Sequence, residues 1–272
     1  MAAASSEIDA GRILQGRYTL LAKLGDHAGD VFTAQRASDG RVVVVRRWRA
    51  PAPQVANAFV ERARAALVVR HPVLASVEAC GQELDRTCFI VSEHVQGRRL
   101  DDWADKVGIP SFANVIEVGR KLCAGLLAAQ QGGLTHDALH PRNVVVAQRS
   151  EGPAQPLQVK LLDLGVPAFV RPRVPHALAA QFMAPEQLAA VLGTASPTGV
   201  VADGAMNVYS LGCLLYYLCT GGAPFQCSTI DELREAHATG KLVPAVRINP
   251  KLPAQLDALI VRTLAISPRE RI

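Results

Sequence analysis

The chain has 272 residues and a formal charge of +5; 49% of its residues are hydrophobic and 19% are charged. This balance is typical of an ordinary globular domain with a large core and excludes a disordered or low-complexity chain.

Basic residues are scattered rather than interleaved with aromatic ones, so no nucleic-acid partner is expected. The six cysteines lack CxxC spacing, which favours reduced thiols and a cytoplasmic location. The longest apolar run, 211–219, is too short to span a membrane. Membrane association would therefore require a tether in a longer parent chain.

The sequence pattern of the first part of the chain, up to residue 93, predicts strands and one helix. Residues 1–16 are expected to form a flexible lead-in. Short β-branched runs bounded by Gly and Asp, such as the one beside Asp39-Gly40, are typical of antiparallel hairpins. Residues 55–70 are rich in Ala, Arg and Val and predict a helix that ends before His71-Pro72. The predicted strands lie at 18–21, 24–32, 41–48, 73–80 and 87–93.

The second part predicts mainly helices. Residues 112–131 place apolar side chains near one face and end at Gly132-Gly133. Further helices are predicted at 207–220, 229–239 and 254–265, and short strands at 143–147 and 157–162. The expected fold class is α+β with two lobes and a cleft between them. The predicted first lobe, residues 17–95, is a small antiparallel β-sheet with one helix. A hinge at about 93–97 connects it to a larger α-helical lobe at 98–272.

Two segments carry the strongest chemical signal, 134–146 (LTHDALHPRNVVV) and 161–166 (LLDLGV). The remaining motifs, in chain order, are the glycine loop at 25–29, Arg46, His71-Pro72, the hinge-like 90–95, MAPEQ at 183–187 and VYSLG at 208–212. In this order and spacing the motifs resemble those of the eukaryotic-like protein kinase fold, most closely the bacterial serine/threonine kinase type. The resemblance covers residues 17–272.

The resemblance implies a nucleotide site that has lost part of its usual chemistry. The middle glycine of the phosphate loop is missing, and a Cβ there disfavours close approach to phosphate. Arg46 stands where the family has a lysine, and a planar guanidinium does not replace a compact ammonium. Val44 replaces a small residue above the adenine and narrows the pocket. The positions implied to line this degenerate site are Gly25, Gly29, Val31, Val44, Arg46, Glu93, Val95 and Val145.

The catalytic loop departs furthest from the family pattern. Ala138 occupies the position of the catalytic Asp, and a methyl group can neither accept a proton nor orient a hydroxyl. His140 occupies the position of the loop lysine and is mostly uncharged at neutral pH. Residues 164–185 contain no Ser, Thr or Tyr, so the family's activation-loop phosphorylation site is missing. Three further family positions, a Thr, an Asp and an Arg, are replaced by Ala179, Asn207 and Asp137.

Other family positions are retained. Asn143 and Asp163 offer oxygen ligands suited to Mg²⁺, but Asn143 could equally cap the loop, and Asp163 could equally bond the backbone beside Gly165. The resemblance also assigns structural roles to four residues and implies a buried ion pair between the last two of them. These four are His136, Gly165, Glu186 and Arg271.

The helix residue that should pair with the basic residue on the sheet falls on Arg62, with Glu61 beside it. In that register Arg46 and Arg62 face each other, and a like-charge contact costs on the order of 4 kcal/mol at intermediate dielectric. A shift of one residue would bring in Glu61 instead.

These changes predict a pseudokinase: a kinase-like binding, scaffold or regulatory module in signalling that works through protein partners and has lost phosphotransfer. ATP and Mg²⁺ are expected to bind weakly or not at all. The alternative is a divergent active Ser/Thr protein kinase that transfers the ATP γ-phosphate to protein, using Asp137 or metal positioning alone. A small-molecule phosphotransferase of the aminoglycoside or choline kinase kind fits Leu139-His140-Pro141 but lacks the motifs at 183–187 and 208–212.

Overall fold

A computed structural model gives the fold and describes residues 10–24, 30–147, 156–167, 170, 177–193 and 204–272. The strands are β1 (Ile13–Leu14), β2 (Tyr18–Lys23), β3 (Asp30–Arg36), β4 (Val42–Arg49), β5 (Val77–Gln82), β6 (Thr87–Glu93), β7 (Arg98–Arg99), β8 (Val144–Ala147) and β9 (Gln158–Leu161). The helices are α1 (Pro53–Ala66), α2 (Leu100–Val107), α3 (Phe112–Gln131), α4 (Ala177–Ala180), α5 (Pro185–Val191), α6 (Gly204–Thr220), α7 (Ile230–Thr239), α8 (Ala245–Ile248) and α9 (Ala254–Thr263).

The first six strands form one antiparallel sheet in the order β1-β2-β3-β4-β6-β5. The β-branched run of β4 lies in the middle, paired with β3 on one side and β6 on the other. Its alternate residues Val43 and Val45 are fully buried, as the two-residue period of a strand requires. The register places Val31 opposite Arg46, so the first strand past the glycine loop lies beside the basic residue.

Helix α1 packs on this sheet through three alanines and one phenylalanine. Pro53 begins the helix, which suits its fixed φ angle and its missing N–H. The buried positions Ala56, Phe59, Ala63 and Ala66 recur at three- and four-residue intervals, so they share one face. The alanines bring the helix backbone close to its neighbours. The helix ends at Ala66, four residues before the predicted end.

The small second sheet, β7-β8-β9, carries the segment with the strongest sequence signal. Strand β8 follows that loop directly and pairs with both β7 and β9. A parallel bridge between Leu74 and Leu161 joins β9 to the loop that follows α1. The two motif segments, 134–146 and 161–166, therefore lie side by side beneath the first sheet.

Helix α6 is the centre of the helical part. Twelve of its residues are buried, including Tyr209 and Tyr216, as expected for a helix that is apolar all round. Gly212 is required for close packing on α9, because a Cβ at this position would lie 2.1 Å from Thr263 Oγ1. Glycine at this position therefore lets α6 and α9 pack closely.

The expected α+β class, a small antiparallel sheet with one helix followed by a larger helical part, is confirmed. Several details differ from the sequence prediction. Ile13–Leu14, within the expected flexible lead-in, forms an edge strand paired with β2. The strand predicted at 73–80 begins only at Val77, and α2 was not predicted. In the described part of the chain, no helix combines the length and the apolarity needed to cross a membrane.

Candidate functional site

The loop at 134–143 is held from several sides. His136 is buried, and its Nε2 lies 2.6 Å from the carbonyl oxygen of Leu162. The Asn207 side chain, with its amide oriented to satisfy both groups, donates to the His136 carbonyl at 2.8 Å and accepts from its N–H at 3.3 Å. Although the family's Asp is absent, the Asn207 amide fastens the loop to α6.

Ala138 lies inside this loop with only 5% of its surface exposed. Its carbonyl oxygen accepts a hydrogen bond from Asn143 Nδ2 at 2.9 Å, and the Asn143 carbonyl accepts one from Leu162 N at 2.8 Å. Asn143 therefore caps the loop, the structural alternative that the sequence left open. His140, the residue at the family's loop-lysine position, is half-buried.

The nearest acidic residue in sequence, Asp137, is bound by other groups. Its Oδ1 accepts from Arg62 Nη2 at 2.7 Å and from Thr135 Oγ1 at 3.1 Å. Its backbone carbonyl accepts from Gln187 Nε2 at 2.6 Å. The Asp137 carboxylate is thus held towards α1 by a guanidinium.

Arg46 forms an ion pair with the segment that follows β9. Its Nη2 donates to Asp163 Oδ2 at 2.7 Å, and the two side chains are 10% and 19% exposed. Of the two pairings that the sequence left open, Arg46 with Arg62 or with Glu61, the structure shows neither as an ion pair: each guanidinium bonds a carboxylate of the helical part. Glu61, the other acid considered, is exposed.

The backbone of 163–165 contains two residues with positive φ angles. Asp163 has φ of 63°, in the left-handed region that costs energy for a residue with a Cβ. Gly165 has φ of 82°, and a Cβ there would lie 2.6 Å from that of Ala66 on α1. Glycine at 165 lets this turn approach the helix closely, while the turn directs Asp163 to Arg46.

The positions implied to line a nucleotide site are distributed as follows. Val31 and Val145 are buried, and Val44 and Val95 are partly buried. Glu93 accepts from Lys160 Nζ at 2.8 Å and from Ser76 N at 3.2 Å, so its carboxylate joins the two sheets. Gly25 and Gly29 lie outside the described residues.

The residues implied for Mg²⁺ do not fit the ion in this arrangement. Asp163 Oδ2 is bound to a guanidinium, and the Asn143 side chain donates to its own loop. Among the described residues, no group of three or more His, Cys, Asp or Glu could hold a metal. Divalent cations need several oxygen ligands that are not already committed to cations.

A basic pair beside the loop was missed by the sequence reasoning. Arg99 Nη1 donates to the carbonyl oxygen of Arg142 at 2.5 Å, and Arg142 forms an ion pair with Asp101 at 3.2 Å. Burial lowers the pKa of Arg99, while the charges of Asp163 and Asp101 oppose that shift. Only the fold reveals this contact, because 43 positions separate the two arginines.

Arg271 lies deep in the helical part, with its side chain only 1% exposed. It binds Glu186 through two hydrogen bonds of 2.5 and 2.8 Å, and its guanidinium lies 4.9 Å from the centre of the Tyr209 ring. His237 Nε2 lies 3.1 Å from the Tyr209 hydroxyl, and burial lowers the pKa of His237 to about 4. This network fastens α5 to α6, α7 and the end of the chain.

Comparisons with known proteins identify the family to which the chain belongs. The protein kinase domain family matches residues 18–272. The chain therefore belongs to the protein kinase family. Its relatives include serine/threonine-protein kinases of bacteria, and its fold is shared by a solved structure.

Pkn1 of Myxococcus xanthus is 29% identical over 94% of this chain and 36% of its own length. PknB of Mycobacterium tuberculosis is 29% identical over 86% of this chain and 36% of its own length. The chain thus spans about a third of these relatives. The structure of Rad53 1-466 in complex with AMP-PNP superposes with a TM-score of 0.73 at 19% identity, over 94% of this chain and 62% of that one.

Proposed function

We propose that this chain is a pseudokinase, a kinase-fold binding and regulatory module that does not transfer phosphate. The observation that carries the proposal is the buried methyl group of Ala138 at the position of the catalytic base, next to an Asp137 carboxylate committed to Arg62. Loss of a general base lowers a rate by roughly 10²–10⁴-fold. A neighbouring acid could compensate only if it were available to a substrate hydroxyl.

The Arg46–Asp163 pair is the second support. Phosphoryl transfer depends on cations that neutralise the charge of the transferred group. Here the guanidinium that would meet the phosphates and the carboxylate that would hold the metal are bound to each other at 2.7 Å. Both parts of the reaction centre would have to separate before either could act.

The preserved scaffold supports a binding role. The Glu186–Arg271 pair, the Asn207 contact and the close approach at Gly212 maintain the packing around the loop although the reaction centre has changed. The buried bidentate ion pair helps to maintain the fold, because breaking such a pair costs about 3–5 kcal/mol. Its retention indicates that the folded scaffold itself is needed. The proposed partners are proteins, in signalling within the cytoplasm, and any ATP binding is weak.

The test is a transfer assay with labelled ATP, Mg²⁺ or Mn²⁺ and a generic basic protein substrate. We expect no transfer above the background of the Asp163→Ala variant. Transfer that disappears in Asp163→Ala would overturn the proposal. Transfer that persists in Asp163→Ala comes from a contaminating kinase and is removed by further purification.

Nucleotide binding is tested separately by thermal shift. A ligand that binds only the folded state raises the melting temperature by mass action. We expect at most a small shift at millimolar ATP, unchanged when Mg²⁺ is added. A shift that requires Mg²⁺ would show that Asp163 leaves Arg46 to hold the metal.

A divergent active Ser/Thr protein kinase is the second candidate. Retention of Asn143 and Asp163, together with the kinase names of the relatives, favours it. In that case Asp137 would have to replace the missing base. Transfer lost in both Asp137→Asn and Asp163→Ala, but kept in the matched surface variant Asp102→Asn, would establish this second function.

A further inference from the structure

Helix α1 and the loop at 134–143 are joined by a second ion pair, with the arginine on the helix and the carboxylate in the loop. Arg62 lies on α1, and its Nη2 donates to Asp137 Oδ1 at 2.7 Å and to the Thr135 carbonyl oxygen at 2.9 Å. The Arg62 and Asp137 side chains are 24% and 12% exposed, so the contact is largely shielded from solvent. Ion pairs in such surroundings are screened little by salt and depend strongly on both partners.

The Asp137 end of this contact is itself rigidly placed. Thr135 Oγ1 donates to the same carboxylate oxygen at 3.1 Å, and Gln187 of α5 donates to the Asp137 carbonyl. One residue earlier, the His136 backbone is bound by Asn207 of α6. Residues 136–137 therefore connect α1 on one side with α5 and α6 on the other.

The anion that holds the α1 guanidinium belongs to the chain itself. The segment 164–185 contains no Ser, Thr or Tyr, so no phosphate can be added there to serve as that anion. The Asp137 carboxylate supplies the negative charge permanently. No ligand and no modification is needed to complete the contact.

We propose that Arg62 and Asp137 form a built-in clamp that keeps α1 docked on the helical part independently of nucleotide and phosphorylation. The clamp gives the module a single, constitutive arrangement of α1 for partners to recognise. This inference rests on the proposed function only in treating Asp137 as a structural residue rather than as a catalytic base.

Hydrogen exchange of the intact chain tests the clamp, because amides of α1 exchange through local opening. Arg62→Met and Asp137→Asn should each raise the exchange of α1 and of 134–143 by about tenfold or more, with smaller changes in α9. Arg64→Met removes an exposed arginine from the last turn of the same helix and should leave α1 exchange unchanged.

The charge-reversed double variant, Arg62→Asp with Asp137→Arg, separates the ion pair from each residue alone. If the ion pair is the cause, α1 should exchange more slowly in this double variant than in a variant that carries only one of the two reversed charges. Arg62→Lys keeps the positive charge but replaces the planar guanidinium by a compact ammonium group. Its α1 exchange should lie between that of the natural chain and that of Arg62→Met. It also keeps the test decisive if Arg62→Met does not fold.

Equal α1 exchange in Arg62→Lys, Arg64→Met and the natural chain, together with unchanged exchange in Asp137→Asn, would overturn the clamp. Exchange that rises equally in α1 and α9 would do so too, since it would report global destabilisation. Detection of phosphate transfer that Asp137→Asn abolishes would instead overturn the proposed function. The two failures are therefore distinguishable.

Discussion

Removing the Arg46 side chain should turn Asp163 into a magnesium ligand. The two groups are 2.7 Å apart and mostly shielded from solvent. At an effective dielectric constant of about 20, their attraction is on the order of 6 kcal/mol before desolvation is subtracted. Mg²⁺ cannot displace this guanidinium cheaply, because it would also have to give up bound water.

The Arg46→Met variant loses the attraction and leaves the carboxylate partly buried, so the free energy of unfolding should fall by about 3–5 kcal/mol. Added Mg²⁺ should then return part of the loss. At a concentration about ten times the dissociation constant, the gain is about 1.4 kcal/mol by mass action. The natural chain should show no such gain.

Urea unfolding with and without Mg²⁺ measures both effects. The double variant Arg46→Met with Asp163→Asn should lose the Mg²⁺ response and should be destabilised by at least about 2 kcal/mol less than the sum of the single variants. Arg47→Met is the matched control: it removes the neighbouring buried arginine, which pairs with Glu83 at 3.4 Å, and should give no Mg²⁺ response. Stabilisation of the natural chain by Mg²⁺, abolished by Asp163→Asn, would refute the reasoning.

Three further predictions concern the scaffold. Arg271→Lys cannot keep both bonds to Glu186 and should lower the free energy of unfolding by about 3 kcal/mol in urea titrations; a change below about 0.5 kcal/mol would contradict the buried-pair argument. The pKa of His237 falls from 6.5 to about 4 on folding, so as the pH is lowered the unfolded chain is protonated at this residue before the folded chain is. Stability should therefore drop by up to about 3 kcal/mol as the pH falls through that window, and His237→Phe should flatten this dependence. Gly212→Ala should cost about 1–3 kcal/mol by overpacking against Thr263, and an unchanged urea midpoint would argue against that contact.

The elements that local sequence pattern predicts well are those with strong periodicity. Helix α1 was expected from its Ala-rich composition, and α6 from an apolar run that ends in glycines. Helix α2 was missed although it places Leu100 and Trp103 on one buried face with acidic residues in its first turn. Eight residues give too few turns for a periodic signal, and tertiary packing stabilises such a helix.

The partners of the charged residues could not be predicted in the same way. Arg46 and Asp163 are 117 positions apart, and Arg62 and Asp137 are 75 apart. Family spacing placed each residue on the correct element but assumed the family's pairing, which the changed charges no longer permit. Charged side chains in a low-dielectric interior select whichever opposite charge the fold brings within reach.

The two ion pairs have a common consequence for the region between the sheet and the loop. Arg46 and Arg62 come from the first sheet and its helix, while Asp163 and Asp137 come from the loops beneath, and the four charges sum to zero. A phosphate group approaching Arg46 competes with a carboxylate already in place, and a metal approaching Asp163 competes with a guanidinium. Because removing either partner of such a pair costs several kcal/mol, the arrangement favours the ligand-free form. The same charges hold the two parts of the fold together, so under the proposed function the loss of phosphotransfer and the fixed position of α1 share one physical cause.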